Sequence, residues 1–474
     1  MLINRTDNLL LTLSANKPIL VYNFAGLRVA LFFMVNIFMV NRRRVIVVLL
    51  CFVAFGAQAQ PSGFDLPTLI FKAVASHASV KGSLSLEASA KQGVETARWQ
   101  YFPTPEVSIN QINTSQDDFQ FRGDDRVFVI SLSQPLWAGG RIDAGLEQSK
   151  AELMAAKSET QISRRDLALN VINAYAQWVA SYLQYQVSTD SQSKHYTLQQ
   201  RIKRRIKEGL SSSSDLNLVT SRLRRVEVSV NAAQARHESA LYNLADFVGE
   251  PISQANLLQD LSTGYLISGE VEALREKALT MDPRLGQLLA EQKVAKAVLK
   301  QSAAQLSPEL RLRLERQWGS FTFENADPVN RMYLELSSNF GAGLSSFSAT
   351  KTAKFELQAA KQAFEAERGR LWSEFQIDWL SNESLRQQKK DLQSSVKAAK
   401  KIQQSWYRQF LVGRKDWQDV MNSIREVTQI ESQAADIASE QLLTSWRLGI
   451  RIHGIKRIAQ VSLDHEDRSS KVIW

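Results

Sequence analysis

Thiols, prolines and glycines are missing from this chain where their absence says most. Its one cysteine, Cys51, lies in an apolar N-terminal stretch. Once that stretch is removed, no disulfide, thiolate metal ligand or cysteine nucleophile is possible. All ten prolines fall before residue 136, at 251 and 283, or at 308 and 328, which leaves residues 136–250 and 329–474 with none. Such stretches permit very long helices, because an interior proline removes a backbone donor and kinks or breaks the helix. Gly145 is the one glycine from Arg141 to Lys207, and Gly369 the one from Ser345 to Val412. A helix filling the first interval would be roughly 100 Å long.

Other absences narrow the chemistry. His77, His195, His237, His453 and His465 are scattered without metal-ligand spacing and read as surface or seam residues. Gly139-Gly140 and Gly341-Ala-Gly343 lack the surroundings of a phosphate or dinucleotide loop. Ser211–Ser214 have no histidine nearby in sequence and read as turn residues. No catalytic constellation emerges, so no enzyme, cofactor or metal is expected. Nucleic acid is not expected either. Residues 1–59 hold six Lys/Arg and one acid, and without them the net charge of +10 falls to +5. The basic run Arg201–Lys207 with Arg222, Arg224 and Arg225 suits an acidic partner surface or plain solvation better.

The N-terminus reads as an extension followed by a signal peptide. Arg42-Arg43-Arg44 precede the apolar run Val45–Phe55, and Ala57-Gln58-Ala59 form a small-residue cleavage site. Met39 is a natural start for such a peptide. A membrane anchor is the competing reading, but Asn41 and the arginines split the region into runs too short to span. Beyond it, no uncharged run approaches the ~20 residues of a membrane helix.

What is present is the chain twice over, at an offset of 203 to 205 residues. Ala73 in FKAV recurs as Ala278 in EKAL, and Pro105-Glu106-Val107 as Pro308-Glu309-Leu310. The turn from Gly209 to Asp215-Leu216 recurs from Gly413 to Asp419-Val420. Two equivalent repeats follow, 60–255 and 256–450, after the extension at 1–59 and before a tail at 451–474. In each repeat a helix leads to a β-hairpin (about 104–137 and 309–340) and then a long helical hairpin (about 139–249 and 345–449). Ile172, Tyr175, Val179 and Tyr182 step by 3 and 4, as do Leu223, Val226, Val230, Ala233, His237, Ala240 and Leu244.

The hairpin segments have period two. Val107 and Ile109, Phe128, Ile130 and Leu132, Leu310, Leu312 and Leu314, and Met332, Leu334 and Leu336 each alternate with mostly polar residues. With flanking residues each run reaches the roughly 9–11 residues of a membrane-spanning strand. Polar loops (114–126 and 320–328) lie at one end, and Trp99, Tyr101, Phe102, Trp137 and Phe340 at the other, as in an interfacial girdle. A soluble hairpin with one wet face fits the same alternation. If the strands span, four cannot close a barrel, and the protein must oligomerise.

An exported, duplicated chain of this order resembles the TolC family of outer-membrane channels over 62–450. The resemblance is carried by Ser133-Gln-Pro-Leu-Trp-Ala-Gly-Gly-Arg141, by the two Gly-x5-Asp-[Leu/Val] turns, and by Leu443-Thr-Ser-Trp-Arg-Leu-Gly449. It implies a mainly α fold with a small membrane β part. Four transmembrane strands per chain would close as a homotrimer into a 12-stranded barrel, continued by an α-barrel crossing the periplasm. It also implies a periplasmic gate. Asp419 falls where a narrowing aspartate is expected, Asn422 replaces a second, and Lys415 holds a latch position facing Ser214 and Asp215. Phe410 stands where tyrosine is usual, which removes a hydroxyl hydrogen bond. Asp215 and Asp419 could equally cap the returning helices.

The function implied is a passive exit duct in the outer membrane, surrounded by its lipid. The turns at Gly209 and Gly413 would dock a periplasmic adaptor. An inner-membrane transporter, ABC or proton-driven, would supply the energy, since the sequence carries no nucleotide-binding loop. The junction Trp-Ala-Gly-Gly-Arg and the serine-rich first turn resemble those of family members that serve type I protein secretion, which favours that over efflux of small toxic compounds. A non-pore coiled-coil adaptor is the rival from another class.

Overall fold

The computed structural model of the chain describes residues 65–113, 119–252, 254, 257 and 264–469, without the side chains of 119 and 456–469. The expected signal peptide with Cys51, and Asp117 and Asp118 of the first polar loop, lie outside the described residues. The first half runs through α1 (Leu66–Ser76), α2 (Ala78–Trp99), β1 (Thr104–Gln111), β2 (Arg126–Trp137), α3 (Arg141–Lys207) and α4 (Ser213–Val248). The second runs through α5 (Val271–Met281), α6 (Pro283–Ala304), β3 (Glu309–Trp318), β4 (Val329–Ser337), α7 (Ser345–Leu411) and α8 (Trp417–Ser469), with α8 broken at Gly454.

Three pairs of helices in the two halves match in length. Helices α1 and α5 have 11 residues each, α2 and α6 have 22, and α3 and α7 have 67. Even the backbone entering the long helices repeats. Gly139 and Gly140 have φ of +59° and +86° before α3, and Gly343 and Leu344 have +58° and +63° before α7. Two of the shorter helices, α1 and α6, start on carboxylate caps. The Asp65 carboxylate accepts from Thr68 N at 2.9 Å, and that of Asp282 accepts from Arg284 N at 2.9 Å. Pro67 and Pro283 follow in the first turn, where a missing N–H costs nothing.

Helix α3 is the spine. Near the strands it packs against α2 and α6, and farther away against α4 and α8, while α7 lies along α6 and α8. Polar contacts mark each stretch. The Thr160 hydroxyl donates to Ser83 O, Lys300 pairs with Glu147 at 2.5 Å, Gln199 meets Thr220, and Thr428 meets Ser191. The strand order β1-β2-β3-β4 thus continues into the helix order α2-α3-α6-α7 and then α4-α3-α8-α7.

Between α2 and α4 the short helix α1 brings Leu69, Ile70 and Ala73 against Trp178, Ile172, Val179 and Leu244, all buried. In the other half α5 brings Leu274 and Ala278 against Phe375, Leu448 and Ile452. Each fully buried aliphatic side chain contributes about 1.5–3 kcal/mol here, so this waist anchors the long helices. The seam from Leu223 to Leu244 faces the bundle as its periodicity requires.

Register fixes the two faces of the sheet, since cross-strand partners share a face. Val107 pairs with Ile130, Leu132 with Leu314, Leu314 with Met332, and Leu312 with Leu334. One face therefore carries most of the aliphatic residues, and it is bare: Met332 is 74% and Leu334 67% exposed. The other carries Glu106, Ser131, Arg313, Glu315 and Arg331, with Glu315 ion-paired to both arginines. Strands β1 and β4 are unpaired edges among the described residues. Trp99, Tyr101, Phe102, Trp137 and Phe340 ring the helix-side end of the sheet, all more than one-third exposed.

Candidate gate at the hairpin tips

Each long helix ends on a glycine because the chain must reverse through the left-handed region, open to a residue without Cβ. Gly209 has φ of +72° and Gly413 of +78°. The capping bonds repeat too: Gly209 N to Ile206 O and Leu210 N to Arg205 O, then Gly413 N to Phe410 O and Arg414 N to Gln409 O. Leu210 and Val412 stand bare on the two turns.

Behind the turns the two hairpins share an apolar plug of Leu198, Ile202, Val219, Phe410, Trp417, Val420, Met421 and Ile424. Phe410 is 2% exposed. The Arg205 guanidinium lies 5.1 Å from its ring centroid and donates to its carbonyl at 3.4 Å. Where tyrosine would offer a hydroxyl, this chain offers a ring that seals the tip and grips a cation from the other hairpin.

The charged residues are arranged differently from the sequence expectation. Asp215 closes a capping box. Its carboxylate accepts from Ser212 N at 2.9 Å, and the Ser212 hydroxyl accepts from Asp215 N at 3.2 Å. That backbone N–H, helped by the Ser212 hydroxyl and the Trp417 indole, holds the Asp215 carboxyl below its ordinary pKa. Ser214 is an exposed residue of the first turn of α4. Lys415 does not reach this pair within the chain. Its ammonium sits 3.3 Å from Asp419 and 4.5 Å from the Trp406 ring centroid. The reason is local: residues four apart adjoin on a helical turn, and the indole face draws the cation onto its own hairpin. Asn422, one turn beyond Asp419, accepts from Arg425 at 3.2 Å.

The structure thus brings Asp419, Lys415 and Asn422 together on one helix start and sets Asp215 and Ser214 apart on the other. Sequence reading missed Arg205, Trp406 and Trp417. Trp417 occupies the same repeat position as the small residue Ser213, and that inequality was the available signal. The basic belt around the first turn is real surface, with Lys203, Arg204, Lys207, Arg224 and Arg225 exposed. Among the described residues no group of His, Cys, Asp and Glu is placed to hold a metal ion, and no helix is long and apolar enough to cross a membrane.

Two kinds of comparison place this architecture. Residues 70–250 match the sequence family described as outer membrane efflux protein. That match lies within the first repeat of the chain. The chain's fold is similar to that of solved outer-membrane proteins. VceC of Vibrio cholerae superposes with a TM-score of 0.70 at 14% identity, over 82% of this chain and 96% of that one. CmeC of Campylobacter jejuni gives 0.69 at 14%, over 83% and 86%. MtrE of Neisseria gonorrhoeae, a channel in its open state, gives 0.67 at 16%, over 83% and 90%. A sequence comparison with curated proteins finds no match.

Proposed function

We propose that the protein is a passive exit duct working as a homotrimer, three sheets closing into one barrel and three sets of helical hairpins into one hollow cylinder. The bare aliphatic face of a sheet with two free edges carries this reading. In lipid, each unpaired N–H and C=O at those edges costs several kcal/mol, and pairing β1 of one copy with β4 of the next removes the cost. A non-pore adaptor has no use for such a face. The test is isolation of the protein from the outer-membrane fraction and conductance in planar bilayers. A heat-sensitive trimer with defined conductance is expected, and a water-soluble monomer without conductance defeats the proposal.

At the tips, three Asp419 carboxylates converge across the bore and draw cations, each partly neutralised by its own Lys415. The turns at Gly209 and Gly413 dock a periplasmic adaptor, and an inner-membrane transporter drives export. The resemblance of the junction at Ser133–Arg141 and of the serine-rich first turn to channels serving protein secretion favours a polypeptide cargo, hence type I secretion. The family description as an efflux protein supports small toxic compounds as the second reading. Deleting the gene separates them: a protein lost from the culture supernatant supports the first, and gained drug sensitivity with an unchanged supernatant supports the second.

A further inference from the structure

The aliphatic face of the sheet has two basic exceptions, and both lie toward the loop end. Reading across the register, Leu310, Leu312 and Leu314 share this face with Arg316 and Trp318 on β3, and Leu132, Ile130 and Phe128 share it with Arg126 on β2. Arg126 pairs with Gln111, and Arg316 stands between Ile130 and Asn330. Both arginines are exposed. The rings of Phe128 and Trp318 meet between their levels at 5.2 Å, and the Arg316 guanidinium lies 5.0 Å from the Trp318 ring centroid. Among the described residues neither arginine has a carboxylate partner. The nearby Asp124 is occupied, accepting from Ser320 N at 2.8 Å and Asn325 N at 3.2 Å.

A cation facing hydrocarbon is costly unless its long stem carries it to a polar boundary. Arg316 lies six residues beyond Leu310, about 20 Å along the strand, which a tilt of about 40° brings to about 15 Å of membrane depth. The aromatic girdle marks one boundary of an apolar band about 25 Å tall. The long stem of Arg316 carries its head outward from mid-depth, and Arg126, four residues past Ile130 on β2, lies about 10 Å farther out, near the other boundary. That boundary carries phosphate, and guanidinium binds phosphate through paired N–H donors. Strands β2 and β3 are the central pair, so this face stays clear of neighbouring copies when the edges β1 and β4 pair between them.

We infer that Arg126 and Arg316, backed by Phe128 and Trp318, form a binding site for the phosphate of an outer-leaflet lipid headgroup, one on each protomer. The inference rests on the barrel reading above. Its ligand is lipid-borne phosphate rather than the free ion, because the aliphatic rows below the arginines receive acyl chains.

The test uses the full-length trimer in a neutral detergent. Lipid A, a phosphate-free glycolipid and inorganic phosphate are titrated separately, and bound lipid is counted by native mass spectrometry. Lipid A is expected to bind, the glycolipid to bind about tenfold more weakly, and millimolar phosphate to leave lipid A in place. Arg316→Ala is expected to weaken lipid A binding about tenfold and Arg316→Lys less, with Arg331→Ala on the opposite face without effect. Equal binding of the two lipids, an Arg316→Ala protein that binds as the parent does, or displacement by free phosphate overturns the site. Conductance of the same preparation keeps the two readings distinguishable. A conducting trimer with no lipid preference sinks this inference alone, and a non-conducting monomer sinks the duct.

Discussion

Leu344 is the residue that the duplication treats worst. Its counterpart Gly140 takes a positive φ freely, whereas Leu344 holds φ of +63° with a Cβ crowded against the following carbonyl. The side chain is 60% exposed, so little packing offsets the strain. Leu344→Gly is expected to stabilise the folded chain by about 0.5–1 kcal/mol, the relieved strain exceeding the added freedom of the unfolded chain. A lower melting temperature in the variant would show that Leu344 has a contact worth more than its strain. His195 is a second such residue, 6% exposed, with its Nδ1 2.8 Å from Ser191 O. Burial, the largest cause, and Arg222 on α4 hold its pKa below 6.5, while the Ser191 carbonyl opposes them. The folded chain therefore prefers the neutral ring, and the unfolded chain takes up a proton near pH 6.5. This contribution is full above that pH and is lost as pH falls from it toward the lower folded value. Melting of the parent should drop between about pH 7.5 and pH 5 more steeply than that of His195→Gln; parallel pH profiles would acquit the histidine.

At the scale of elements, the two halves are joined by buried charge as well as by apolar contact. Arg165 of α3 and Asp282, the cap of α6, meet at 2.5 Å with side chains 8% and 6% exposed. Asp282→Ala leaves a buried guanidinium without its counter-charge and strips the α6 cap. A loss of about 3–5 kcal/mol is expected, seen as a large fall in trimer melting temperature. Asp282→Ala with Arg165→Met should recover much of it, and failure to recover would assign the loss to the cap. Helix ends and strands were legible because proline, glycine and period two act within a few residues. The bounds of α3 follow from Arg141 and Lys207 in that way. The Arg165–Asp282 pair spans 117 residues of chain and left no local trace. Lys415 shows the opposite case: within the chain it pairs with Asp419, four residues away, and not with the distant Ser214 and Asp215 that the family resemblance suggested.

For the proposed trimer, the decisive quantity is how much free charge its three tips would present to the bore. Asp419 alone would give three carboxylates, a strong site for divalent cations. Within the chain Lys415 sits 3.3 Å from Asp419, held by Trp406, so the proposed trimer would offer a ring of ion pairs with a weaker field. Two substitutions then act in opposite directions. Asp419→Asn removes the acid and should weaken divalent block. Lys415→Ala bares the acid and should strengthen block by up to about tenfold, the scale of one partly exposed ion pair in a narrow, poorly solvated bore. A lysine that instead latched the two hairpins together would raise baseline conductance on removal and leave block unchanged. Current recorded from single trimers at several magnesium concentrations therefore decides between a charge-tuning lysine and a mechanical one.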